Sequence, residues 1–214
     1  NRKTKQVDGT PLKGQNKLKL VTHCRSLTAK ESAGADHLWL EYLAYRVFNE
    51  ITDLSFRVRP LRILYVDSEK GTRNAHPAFF IEHKKRLASR IGHEVAEVER
   101  GIKTSELVAA HAQDVELFQY LLGNTDFSLI RGPKGDDCCH NAVLFSEAAG
   151  EGSYLAIPYD FDTTGFVDPP KALPAQGLGL RRVTQRLYRG FCREQAILEA
   201  SIGRYLAARE RVED

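Results

Sequence analysis

Residues 141–162 constrain the fold of this chain more than any other stretch. Two short β-favouring runs, 142–145 and 154–157, flank a Gly-rich turn around Gly150 and Gly152, which is the pattern of a β-hairpin. A hairpin brings its second strand back beside the start of its first. Asn141, just before the first strand, and Asp160, just after the second, are therefore expected side by side. A helical pattern over 105–122 stops at Gly123 and leaves Asp126 immediately beyond it,. Asp126, Asn141 and Asp160, with Asp162 two residues further on, then form a cluster of oxygen-bearing side chains. Such a set suits Mg or Mn, which prefer carboxylate, carbonyl and phosphate oxygen and keep several waters. The structural reading is that Asn and Asp are common turn residues, with Asn124 and Asp126 simply capping the chain after a helix.

Upstream, 17–22 alternates charged and apolar residues as Lys-Leu-Lys-Leu-Val-Thr, the signature of a half-buried strand. Over 35–51 the period changes to three and four residues, through Leu38, Tyr42, Tyr45 and Phe48, and predicts a long helix that carries Glu41. Strand character returns over 56–66, interrupted by Pro60, and over 78–81. A helix is expected over 83–91, capped by Gly92. The 105–122 helix places Val108, Val115, Phe118, Leu121 and Leu122 on its apolar stripe. Beyond a Pro- and Gly-containing loop after Pro158, two closing helices are expected, one through Val183, Leu187 and Phe191, the other through Ile197, Leu198, Ile202 and Leu206. The polar opening to about Gln15 reads as an arm or frayed hairpin.

At 214 residues the chain is long enough for a sizeable core,. It is 42% hydrophobic and 28% charged with mixed signs, which excludes an intrinsically disordered class. A formal net charge of +3 is too small to imply nucleic-acid binding, and none is expected. No apolar run reaches the roughly 18 residues of a membrane span. The expectation is a soluble protein, either cytoplasmic or exported after loss of a signal sequence. The chain holds no Met, as expected of a trimmed fragment. Cys24, Cys138, Cys139 and Cys192 lack the paired CxxC spacing of a zinc site. Adjacent cysteines rarely bond to each other, so Cys138 and Cys139 are each expected to reach Cys24 or Cys192 in an oxidising compartment, or to stay as thiols in a reducing one.

The three motifs Asn124-x-Asp126, His140-Asn141 before a strand, and Ile157-Pro158-Tyr159-Asp160-Phe161-Asp162 with Gly165 resemble the protein-kinase-like superfamily in that order. The likeness is nearest to CotH-type (spore coat protein H-like) kinases and more distant to HipA-type and lipid kinases. Neither a His-Arg-Asp triplet nor Asp-Phe-Gly is present, since Asp162 stands where Gly would be. The resemblance implies an α+β, two-lobe kinase-like fold, with residues 1–82 as a small N-terminal sheet plus helix and residues 83–214 as a mostly helical C-terminal lobe. It implies ATP with Mg or Mn as cofactors and phosphoryl transfer to a hydroxyl of a protein or small molecule. Asp126 would be the base or hydroxyl-orienting group, Asn141 the second-metal ligand and Asp160 the principal metal ligand, while Asp162 would either assist the metal or be a structural acid. His140 would be a loop anchor. Lys19 with Glu41 is the candidate pair for the α- and β-phosphates, Lys17 being its neighbour on the same face. Ile81 and Glu82 would lie at a hinge whose backbone reads the adenine edge. No GxGxxG loop precedes the Lys strand; Gly9, Lys13 and Gly14 are too sparse to match.

Three alternatives remain open at this level: AMP transfer, a catalytically inactive kinase-like binding module, and a metal-dependent hydrolase using Asp126, His140, Asp160 and Asp162. Arg181, Arg182, Arg186, Arg189 and Arg193 are expected as a positive helical stripe, either solvated or facing an acidic substrate. Arg57, Arg59 and Arg62 read as edge charges that discourage sheet pairing.

Overall fold

The computed structural model describes residues 9, 10, 13, 17–22, 33–147 and 153–213. The arm before Gln15 falls largely outside these residues, as do Cys24 and the hairpin turn at Gly150 and Gly152. The architecture is α+β, with two small antiparallel sheets and four α-helices among the described residues.

The first sheet holds β1 (Lys19–Thr22), β2 (Val58–Val66) and β3 (Arg73–Ile81) in the order β1-β3-β2. The strand expected over 78–81 is longer because Arg73 through Pro77 pair with β2, Arg62 lying opposite Pro77. Among the described residues β1 pairs with β3 only as far as Ala78, so Pro77 has a described partner on its β2 side alone, and Pro60 sits in β2 at the edge of the sheet,. Helix α1 (Ala33–Ile51) packs on this sheet through Tyr42 and Tyr45, whose rings meet Phe79.

Helix α2 (Lys84–Ile91) follows the sheet. The His83 imidazole caps its start by accepting from the Lys85 amide at 3.2 Å, and Gly92 ends it in the left-handed region at φ 71°, as helix C-termini favour. A second sheet, β4-β5-β6, joins β4 (Glu94–Val95) to the hairpin of β5 (Ala142–Ser146) and β6 (Leu155–Pro158). Strand β4 gave no signal in the sequence.

Helix α3 (Ala109–Leu122) starts four residues later than the apolar period suggests. The preceding residues form a 3₁₀ turn at Thr104–Glu106, and the chain is then drawn out of helical geometry by Tyr154, which exchanges backbone bonds with Glu106 O and Val108 N. Tertiary pairing here overrides local propensity. Helix α4 (Gln195–Glu213) closes the described chain against α3 and α1.

The other closing helix, expected through Val183 to Phe191, does not form. Residues 183–194 run as turns and extended chain, because their polar groups bond to α3 and the loop after it instead of to one another. Tyr188 Oη, Phe191 N and the Arg193 guanidinium all converge on Glu116, which is 1% exposed. A Cβ on Gly190 would lie 2.5 Å from a Glu116 carboxylate oxygen. The expected positive helical stripe is therefore absent. Arg186 donates to Leu121 O, Arg189 to the Thr125 and Phe127 carbonyls and Arg193 to Glu116, while Arg181 and Arg182 are exposed.

One contiguous core runs through both halves of the chain. At its centre an aromatic series links the elements: Phe79 of β3 to Tyr45 of α1, Tyr45 to Phe161 at 4.7 Å, and Phe161 to Phe118 of α3, which stacks on Phe48. Phe161 is fully buried, and burying a Phe side chain stabilises by roughly 1.5–3 kcal/mol. That packing fixes the chain on either side of it, where Asp160 and Asp162 stand. No helix among the described residues is long and apolar enough to cross a membrane.

Candidate active site

Gly123 caps α3 with φ 67°. The buried Asn124 then accepts the Asp126 amide on its Oδ1 at 2.8 Å, so the turn-residue reading holds for Asn124. Asp126 is different. Its carboxylate is half exposed and accepts from His140 Nε2 at 2.7 Å, with Asn141 Nδ2 at 3.3 Å from its second oxygen. Because the carboxylate accepts, Nε2 is the nitrogen carrying the proton. The contact ties the His140 ring to the Asp126 loop. Ser128 and His140 exchange backbone hydrogen bonds in both directions, tying the Asp126 loop to the residues before the hairpin.

The hairpin does what its sequence implies. Tyr159 N donates to Asn141 O at 3.0 Å, one step beyond the last strand pair, Ala142 with Pro158. Asn141 and Asp160 are consequently adjacent at the open end of the hairpin. Both have positive φ, 52° and 65°, a conformation that Asn and Asp adopt more readily than other non-glycine residues. Asn141 Nδ2 donates to the Asp126 backbone carbonyl at 2.7 Å. With its amide nitrogen so committed, Oδ1 is the atom of Asn141 left to face a cation. The Asp160 amide donates to the Tyr45 hydroxyl at 2.8 Å, which couples Asp160 directly to α1.

Four acids gather here. Glu41, on α1 and only 5% exposed, has its pKa pushed up to about 8 by burial first, then by the charges of Asp162 and Asp160, with Lys19 opposing. The Asp162 carboxyl is likewise raised, by burial and by its neighbours Asp160 and Asp126. The charges of Asp160 and Asp162 thus reach Glu41, and those of Asp160 and Asp126 reach Asp162,. No three His, Cys, Asp or Glu side chains among the described residues converge into a ready-made metal cage. A cation here would need ligands from outside the chain, as Mg bound with phosphate and water has.

Lys19 pairs in register with Ile81 on β3, and its Nζ lies 4.6 Å from the centre of the Tyr159 ring, a cation–π contact,. Its charge reaches Glu41, yet the two form no ion pair within 4.0 Å. Lys17 precedes β1 and is exposed. At the expected hinge, Glu82 N donates to Arg57 O, and the Glu82 carboxylate is held by Arg90 at 2.8 Å. The Glu82 amide is therefore engaged within the protein and the side chain plays a structural part.

After Asp162 the chain crosses the end of α3. Gly165 N donates to Gly123 O, and a Cβ on Gly165 would lie 2.5 Å from Val183 O, so only glycine fits that crossing. Ala175 N then donates to the Thr125 hydroxyl, laying the loop against the Asp126 segment. The cysteine expectation needs correction. Cys138 and Cys139 are bonded to each other, and Cys192 is free and exposed; Cys24 lies outside the described residues. The segment is held in place at both ends, by Cys138 N bonded to Val98 O and His140 N to Ser128 O, and this local path puts the two sulfurs within reach of each other rather than of Cys192.

The raised pKa of Glu41 carries a pH signature. Between its ordinary value of 4.5 and about 8, the folded protein retains a proton that the unfolded chain has released. Stability from this group is therefore complete below the lower value, declines as pH rises, and levels off above the higher one, with a slope of at most about 1.4 kcal/mol per pH unit. Urea unfolding of the wild type and Glu41→Gln at several pH values is expected to show the variant gaining relative stability from pH 5 to 8. Parallel curves would contradict this.

No protein-family model, curated protein or solved structure matches this chain.

Proposed function

We propose that the chain is an ATP- and divalent-metal-dependent phosphotransferase with a two-lobe kinase-like fold, acting on a hydroxyl of a protein or small molecule. The observation that carries this reading is the arrangement at the hairpin's open end. Asn141 is locked through its amide nitrogen to the Asp126 carbonyl, Asp160 is its neighbour at the end of the hairpin, and Asp126 projects a half-exposed carboxylate beside Asn141.

In this reading Asn141 Oδ1 and the Asp160 carboxylate would hold Mg or Mn, which would supply positive charge against the transferring group. Asp126 would orient the acceptor hydroxyl and take its proton as that oxygen bonds to the γ-phosphorus and the bond to the β-phosphate oxygen breaks, releasing ADP, and His140 would keep that carboxylate in one orientation,. Lys19, whose Nζ lies over the Tyr159 ring, would be the residue to meet the α- and β-phosphates, with Glu41 as its partner on the helix, where the Lys19 charge favours the ionised carboxyl. Asp162 adds negative charge near the metal. Ile81, in the sheet beside Lys19, lines the adenine side, whereas Glu82 supports the hinge through Arg90.

The binding-module reading draws on one observation, the open Lys19–Glu41 pair with Lys19 resting on Tyr159. The two are separated by thermal unfolding with ATP, with Mg, and with both, followed by incubation with γ-labelled and α-labelled ATP. Mg and ATP together are expected to stabilise well beyond either alone, by about 2.7 kcal/mol at a hundredfold excess over Kd. Label is then expected to leave the γ position of ATP. Stabilisation without label movement would favour the binding module, α-label transfer would favour AMP transfer, and no stabilisation at all would overturn the nucleotide site.

A further inference from the structure

Arg189 lies 63 residues beyond Asp126 in sequence, on the extended segment where a helix was expected. Its Nη1 donates both to Thr125 O and to Phe127 O, the latter at 3.0 Å, so one nitrogen holds the carbonyls on either side of Asp126. The guanidinium also lies over the Phe127 ring, 5.4 Å from its centre. Arg189 is half-buried; burial pushes its pKa down and the nearby charge of Asp126 opposes that shift. The segment bearing it is itself pinned: Tyr188 Oη, Phe191 N and Arg193 all bond to the buried Glu116 of α3, and Gln113 donates to Tyr188 Oη at 2.9 Å.

We infer that Arg189 is a positioning residue for Asp126, a clamp from the C-terminal segment that fixes the loop carbonyls at both flanks and thereby the direction in which the Asp126 carboxylate points. The physical need is specific. A loop ending α3 has carbonyls that no helix bond satisfies, and a cation that bonds two of them spanning one residue removes the freedom of that residue to rotate. Among the described residues, Asp126 itself is bonded through its amide, its carbonyl and the His140 and Asn141 contacts. Since positioning errors near 1 Å are costly in group transfer, a clamp of this kind acts on turnover more than on nucleotide binding, which in the reading above belongs to Asn141, Asp160 and Lys19.

The inference rests on the phosphotransferase reading for its kinetic consequence but not for its structural one, and the test uses both. In the full chain, Arg189→Gln is expected to lose about 30-fold in kcat with less than about threefold change in KM for Mg·ATP. Arg189→Lys, whose ammonium has three donors and can still bond both carbonyls, is expected to recover most of the loss. In parallel, the His140 Nε2 proton held by Asp126 is read by NMR: it should be visible in the wild type and in Arg189→Lys, and lost to solvent exchange in Arg189→Gln at a melting temperature within a few degrees of wild type. If the wild type turns over no nucleotide, the phosphotransferase reading has failed while the imidazole signal still decides the clamp. A signal unchanged in Arg189→Gln, or one absent from the wild type, overturns the clamp, as does a kcat that Arg189→Lys leaves as low as Arg189→Gln.

Discussion

Asp126→Ala is expected to lower phosphoryl transfer by about 10²–10⁴-fold, the usual worth of a positioned proton acceptor, while Mg·ATP stabilises the variant nearly as well as the wild type. The split follows from which atoms of Asp126 do what. Its side chain holds the half-exposed carboxylate and the His140 contact; its backbone carbonyl accepts the stronger of the two Asn141 bonds, at 2.7 Å against 3.3 Å. Alanine removes the first and keeps the second, so the orientation of the Asn141 side chain is expected to persist. Single-turnover consumption of γ-labelled ATP, run beside thermal unfolding with Mg·ATP, measures both halves. Equal consumption by the two proteins would remove Asp126 from the mechanism; equal loss of consumption and binding would make it a structural residue of the loop.

The hairpin and its flanking residues were legible because their signals are local. Strand alternation, a Gly-rich turn and the position of Asn141 and Asp160 just outside the strands suffice to bring those two together, and Gly123 announces the end of α3 before Asp126. The long helix bearing Glu41 follows from its apolar spacing in the same way. What the sequence concealed depends on partners far along the chain. The start of α3 was misplaced because Tyr154 bonds to Glu106 and Val108, and nothing within 105–108 signals that competition. Residues 183–191 have helical apolar spacing, yet their polar groups reach a carboxylate more than 70 positions earlier, buried on a helix whose polar residues Gln113, Asp114 and Glu116 look solvent-facing in sequence. Asp114 accepts from Ser201 and Arg204 of α4 in the same manner. Buried charges that are satisfied by distant arginines leave no periodic trace. Arg189 was therefore visible only as one of five basic residues, with its role hidden. The disulfide between Cys138 and Cys139 runs against the general rarity of such bonds, and only the local chain path reveals it.

Asp160→Asn is expected to abolish transfer and weaken the metal–nucleotide complex by at least about a hundredfold, since it removes the one full negative charge assigned to direct ligation and a hard divalent cation binds a neutral amide far less well. Asparagine is the informative substitution: Asp160 holds φ 65°, which Asn tolerates, and the Asp160 amide bond to Tyr45 needs no carboxylate. The fold around Phe161 should accordingly persist, and a near-wild-type melting temperature without ligand is the control.

Mn binding followed by electron paramagnetic resonance reads directly whether Asn141 and Asp160 hold a cation together with triphosphate. Titrated into the wild type, Mn should bind weakly alone and tightly once ATP is present, with both the tight complex and its nucleotide dependence lost in Asp160→Asn. Mn bound equally well with and without ATP, or equally well by Asp160→Asn, would contradict the account.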